Sequence, residues 1–186
     1  MSAPSIDSSL SIETARLILR LPRREDFEPY AEFMADAEAT AFLGGQQPRP
    51  IAWRGFLQIT GAWYVQGFSM FSIIEKSSGD WVGRVGPWMP DGWPGTEVGW
   101  GIVRSRWNMG YATEAAAASM DWAFSTLGWT DVIHTIAPGN VASQAVALKL
   151  GASNRGPGRL PAPFDTVPIE IWGQSRMQWQ ARKSAC

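Results

Sequence analysis

The sequence predicts an α/β (α+β) domain, a mixed β-sheet with helices on its faces. Three observations carry that prediction. Runs of alternating apolar and polar residues interleave with runs of helical period. Clusters of Gly, Pro, Asn and Asp punctuate them. The chain has 186 residues, 45% of them hydrophobic, which suits one packed core.

The elements follow in order. Residues 1–11 are polar and read as a frayed tail, leaving one domain over 12–182. Thr14 to Leu21 alternates as a strand and stops at Pro22. Phe27, Tyr30, Met34 and Ala37 fall at helical spacing, and Phe56, Ile59 and Trp63 mark a second helix over 51–64. Phe68 to Glu75 and Trp81 to Met89 flank a Ser-Ser-Gly-Asp turn and read as a hairpin. Thr96 to Val103 is another strand. A helix from about Gly110 ends at Gly128. A strand over Asp131 to Ala137, a helix from Asn140 through Leu150, a Gly/Pro-rich loop over 153–168 and a strand over Ile169 to Trp179 complete the chain. A short extra strand after Gly151 is compatible with this order.

Composition excludes several classes. A net charge of −1 and a pI near 5.8 give no basic field for nucleic acid. No apolar run approaches the ~20 residues of a membrane span. The first residues lack the basic and apolar regions of a signal peptide, so a cytoplasmic protein is expected. One His and a single Cys, at position 186, give no support for a metal site or an internal disulfide.

The informative stretch is Val98 to Glu114. A strand runs into a connection holding Asn108, Gly110 and Ala112, and a helix follows. A helix start offers unpaired N–H groups and the positive end of the backbone dipole. Small residues let that backbone approach a ligand, which is the geometry that holds a phosphate. Neither a Walker loop nor a dinucleotide fingerprint is present.

Here the sequence resembles the GNAT superfamily of acetyl-CoA-dependent N-acetyltransferases, whose pyrophosphate loop has the form Gln/Arg-x-x-Gly-x-Gly/Ala. This chain has Trp107-Asn108-Met109-Gly110-Tyr111-Ala112. Trp at the first place, followed by Gly-Tyr-Ala-Thr-Glu-Ala, is similar to the RimJ/RimL-like branch that acetylates ribosomal-protein N-termini. So are Glu13 to Arg20, Trp81 to Gly86, Asn140-x-x-Ser143 and Leu148 to Ala152. The resemblance implies a mostly antiparallel sheet splayed between the strands at 96–103 and 131–137, with pantetheine in the wedge. It implies backbone contacts to the coenzyme from Ile102 and Val103. Trp107, Asn108, Met109, Gly110, Tyr111, Ala112 and Thr113 would form the pyrophosphate loop. Asn140 would bond the pantetheine amides, Ser143 would lie beside the arm, and Arg104 and Lys149 are candidate phosphate partners. Acetyl-CoA is then the co-substrate and an amine the acceptor, with no metal, nucleic-acid or membrane partner, in a monomer or homodimer.

Direct transfer needs a neutral amine, so a base must take its proton. Glu97 shares a face with Gly99 and Gly101 by alternation and is the candidate. Its other reading is a carboxylate at the exposed start of a strand. The family often places a Tyr acid on the second cofactor helix, where this chain has Ala147; Ser143, a water or no acid are the alternatives. His134 reads as a core residue or a second base. Trp88, Trp93, Trp100 and Trp107 read as packing or as an aromatic acceptor pocket, flanked by loops at 42–50 and 153–168. A protein that binds CoA or acyl-CoA without turnover is the competing function, and a Trp-rich carbohydrate module is a third.

Overall fold

The computed structural model describes residue 7 and residues 9–184. The tail expected over 1–11 lies mostly outside these residues, as does Cys186. Ser11 itself is already paired with Arg20.

An eight-stranded sheet runs in the order β1 (Ser11–Glu13), β2 (Leu17–Arg20), β3 (Phe71–Glu75), β4 (Trp81–Trp88), β5 (Glu97–Ile102), β6 (Asp131–Ile136), β8 (Ile169–Ser175), β7 (Ser153–Gly158). Every pairing is antiparallel except β5 with β6. A parallel pair needs a crossover, and α4 (Tyr111–Ser125) supplies it. The helices α1 (Phe27–Ala35), α2 (Ala37–Thr40) and α3 (Arg49–Gln66) lie between β2 and β3, and α5 (Val141–Leu150) follows β6.

Two cores hold the helices to opposite faces. On one, Ala115, Ala116, Met120 and Ala123 of α4 pack on Leu17, Phe71, Val85, Val98 and Val132. Small alanines let α4 lie close to the sheet. On the other, Phe27, Tyr30 and Phe33 of α1 and Phe56 and Ile59 of α3 enclose Met70 and Trp81.

The structure differs from the sequence expectation at the C-terminal end. The strand stops at Ser175, and Arg176–Ser184 forms a helix, α6. Pairing with β6 runs out at Asp131, and a reciprocal cap takes over. The Ser175 N–H donates to Gln178 Oε1, and the Gln178 N–H donates to Ser175 Oγ. Met177 is exposed, while Trp179 is buried. The first half of the 153–168 loop is the strand β7, paired to β8.

Candidate active site

The backbone of β5 sets the geometry. Its pleat sends alternate residues to alternate neighbours. Val103 donates its N–H to Val82 O at 3.0 Å. Gly99 and Gly101 therefore bond β4, and the polar backbone groups of Val98, Trp100 and Ile102 turn toward β6. Yet β6 leaves after one bridge, Glu97 with Ile133. The Ile133 N–H still reaches Thr96 O at 2.9 Å. The next rung of a parallel ladder would join the Thr135 N–H to Val98 O. Side chains make both halves of it instead. Thr135 donates its N–H to Glu97 Oε1 at 3.1 Å, and Val98 O accepts from His134 Nδ1 at 2.7 Å. Beyond that point the strands diverge, so the wedge begins at Val98.

Glu97 sits at the closed end. It is 6% exposed and also accepts from the Thr135 hydroxyl and the Trp93 indole N–H. Burial pushes its carboxyl up to about 7, against the pull of the bonds from Thr135 and Trp93 and the charge of Arg84. The expected common face with Gly99 and Gly101 is present. It carries the side chains of Arg84 and Trp88 as well, because Arg84 pairs with Gly101 and Trp88 with Glu97. Neither had been singled out as a partner of Glu97. His134 is pushed down to about 4 by burial, with the Val98 bond opposing. A carbonyl oxygen only accepts, so Nδ1 carries the proton and buried Nε2 is bare, without a partner among the described residues. His134 thus has no proton to give from Nε2, and its ring packs 4.9 Å from Trp100 on the other face of the sheet from Glu97.

The connection from β5 to α4 lies at the open end of the wedge. Asn108 and Gly110 both adopt left-handed backbone, at φ 60° and 80°. Gly110 is the N-cap of α4 and has no side chain to cap with, so the first N–H groups of a 15-residue helix stay free of side-chain acceptors. Two anchors hold this loop. Glu75 on β3 accepts from Arg106, Tyr111 Oη and Ser78 Oγ. Arg106, then Tyr111 and Ser78, hold its carboxyl down at about 2. Glu114 accepts from Thr14 Oγ1 at 2.6 Å and from the Arg16 N–H and side chain at 2.9 and 2.7 Å. Arg16 also donates to Met109 O at 2.8 Å. The Thr-Ala-Arg and Ala-Thr-Glu segments are therefore one network, joined across 98 residues of sequence.

Several expected contacts change. Both backbone groups of Val103 are used, its N–H by Val82 and its carbonyl by the Arg106 N–H. The pleat makes Trp100, not Val103, the partner of Ile102 on the wedge side. Ile102 O already accepts from the Trp107 indole at 2.8 Å. Tyr111 buries its ring and commits its hydroxyl to Glu75, so only its backbone N–H faces the loop. Arg104 pairs with Asp36 at 3.0 Å and Glu38 at 2.8 Å, tying the loop to α2. The Asn140 side chain caps α5 by accepting from the Ser143 N–H at 3.1 Å, which leaves its amide NH2 for a ligand. Lys149 is in the last turn of α5, about 13 Å along the helix from that cap. Nor do the four tryptophans form one pocket: Trp88 and Trp93 meet edge to face at 6.5 Å, Trp100 lies on His134, and Trp107 is exposed on the loop. Of the two loops expected to flank an acceptor, the first brings Phe42 against Gly139 at the start of α5, and the second brings Pro161 against Gly92.

Comparison with known proteins agrees with this geometry. A family model described as an acetyltransferase (GNAT) domain matches residues 16–153. The chain is 26% identical over 149 residues to an uncharacterized N-acetyltransferase, p20, of Bacillus licheniformis, covering 78% of this chain and 84% of that one. It is 34% identical over 87 residues to the uncharacterized protein YkkB of Bacillus subtilis, covering 46% of this chain and 51%, about half, of YkkB. A crystal structure of an acetyltransferase from Agrobacterium tumefaciens is 27% identical, with a TM-score of 0.81 over 95% of this chain and all (100%) of that one. The ribosomal-protein-S5-alanine acetyltransferase of Vibrio fischeri shares the fold at 17% identity, with a TM-score of 0.69 over 92% and 99% of the two chains. With its splayed sheet, left-handed loop and matching domain, the chain belongs to the GNAT acetyltransferase family, whose members transfer acetyl groups from acetyl-CoA.

Proposed function

We propose that the chain moves the acetyl group of acetyl-CoA directly to a primary amine, on a protein N-terminus or a small molecule. The observation that carries this reading is the uncapped start of α4 at the open end of the β5–β6 wedge. Its free N–H groups and positive dipole end suit the coenzyme's diphosphate. The left-handed loop suits it too, since a Cβ at Gly110 would be strained at φ 80° and would crowd Arg16 Nη2 at 3.4 Å. The wedge-side backbone of Trp100 and Ile102 suits the pantetheine amides, with the Trp107 indole giving up Ile102 O when they arrive. The Asn140 amide supplies a further donor.

The amine nitrogen attacks the thioester carbonyl carbon. The new C–N bond forms, the C–S bond breaks, and the proton shed by nitrogen passes to Glu97, directly or through a water. A carboxylate held near 7 is poised for that transfer at neutral pH. The leaving thiolate takes a proton from solvent, directly or relayed through the Ser143 hydroxyl, which regains its own. Ala147, buried at the family's usual Tyr position, has none to give.

Acetyl-CoA titration followed by a thiol-release assay over a panel of primary amines tests this. Saturable binding with thiol release supports it. Binding without release on any amine favours the alternative, a non-catalytic CoA- or acyl-CoA-binding protein. No binding ends both.

A further inference from the structure

Arg84 stands apart from the other part-buried arginines. Arg20 and Arg106 each hold a carboxylate within 3.0 Å. Arg84 has no such partner among the described residues. Its guanidinium donates through Nη1 to Met70 Sδ at 3.2 Å, a weak acceptor, and its Nε is buried with no partner among the described residues. An arginine with unfilled donors out of water is costly unless something else fills them.

Its position says what that could be. Arg84 lies on the face of β4 and β5 that carries Glu97, across from Gly101 and four residues along the row from the carboxylate. At strand spacing that is about 13 Å between backbones, which two long side chains reaching inward close. Met70 lies between them. Its methyl would be 3.1 Å from a Cβ at Gly99, and Glu97 Oε1 would be 3.7 Å from the same point. A cation with free donors and a carboxylate thus lie on either side of Met70 over a glycine, and both Arg84 and Gly99 keep some exposure to solvent.

Resting on the acetyltransferase reading, we infer that the acceptor is a carboxylate-bearing primary amine of the amino-acid class, its amine at Glu97 and its carboxylate bonded by the free Arg84 N–H groups. Phe33 and Leu43 pack over Gly101 and Met70 over Gly99, so the surroundings of the two charges are apolar, which favours an apolar side chain on the acceptor.

The test uses the full chain, acetyl-CoA and three acceptors that share one side chain: leucine, leucinamide and 3-methylbutylamine. Thiol release gives kcat and KM for each. Leucine is expected to exceed the two analogues that lack a carboxylate in kcat/KM by about 30-fold, the scale of one charged hydrogen-bond pair. R84M should raise KM for leucine by about the same factor, with R84K in between, while the two analogues and acetyl-CoA affinity change less than about threefold. This separates a direct contact from an effect of Arg84 on Glu97, which would lower all three acceptors together. The inference is overturned if the amide or the amine equals leucine, or if R84M lowers all three by one factor; the acetyltransferase reading survives either result. If none of the three and no other amine releases thiol, that reading fails and takes the inference with it.

Discussion

Glu75 and Glu97 lie two strands apart in the same sheet, and both are almost fully buried. Arg106, Tyr111 and Ser78 surround Glu75 with donors, and its carboxyl is held near 2. Glu97 has donors too, but its one nearby cation makes no bond to it, and burial holds it near 7. Glu75 has a permanent countercharge and serves as an anchor for the loop ahead of α4. Glu97 lacks one, at the closed end of a wedge, and so can exchange a proton near neutral pH. Burial alone does not mark a reactive carboxylate; burial without a bonded countercharge does.

The largest effect should come from removing Glu97, the proposed base. E97Q should lower kcat by about a hundredfold or more, the scale of general-base catalysis, with acetyl-CoA affinity unchanged in calorimetry. Next comes the loop. G110W forces a bulky side chain onto left-handed backbone beside Arg16 and should weaken acetyl-CoA binding by tenfold or more, roughly the cost of one strained residue. Unchanged affinity would detach the loop from the coenzyme. E75Q strikes the anchor and should raise KM for acetyl-CoA more than it lowers kcat, the reverse of E97Q. Equal splits in the two variants would erase the distinction drawn between them.

Stability against pH separates the groups by sign. Glu97, raised from 4.5 to about 7, contributes stability below pH 4.5 that is lost as pH rises through 7. His134, lowered from 6.5 to about 4, contributes stability above pH 6.5 that is lost as pH falls through 4. Between those limits the two slopes oppose and largely cancel. In thermal melts E97Q should therefore lose stability on acidification from pH 6.5 to 4.5 where the parent is flat. The smallest effect belongs to W107F, which removes only the indole bond to Ile102 O and should change acetyl-CoA affinity by less than about fivefold, one part-buried hydrogen bond.

Much of this was legible in sequence, and the limits are physical. The strand–loop–helix segment with Asn108 and Gly110 announced its turn because left-handed backbone restricts residue choice. The shared face of Glu97, Gly99 and Gly101 followed from alternation alone. Which neighbour Val103 bonds does not follow, because the direction of an N–H depends on pairing with β4. Arg84 stayed hidden for the same reason: it meets Glu97 only through the β4–β5 register. The Arg16–Glu114 pair joins residues far apart in the chain, and no local period records it. Past Ser175 the alternation continued beyond Asp131, the first residue of β6, and a reciprocal cap decided for helix.

The most direct test of Glu97 as the proton acceptor is the pH dependence of single-turnover acetyl transfer, run on the parent chain and on E97Q. In the parent, the rate should rise with pH through an inflection near 7 and then level, and the inflection should vanish in E97Q along with most of the rate. A parent profile that climbs only through the acceptor amine's own titration, with E97Q tracing the same curve, would contradict it.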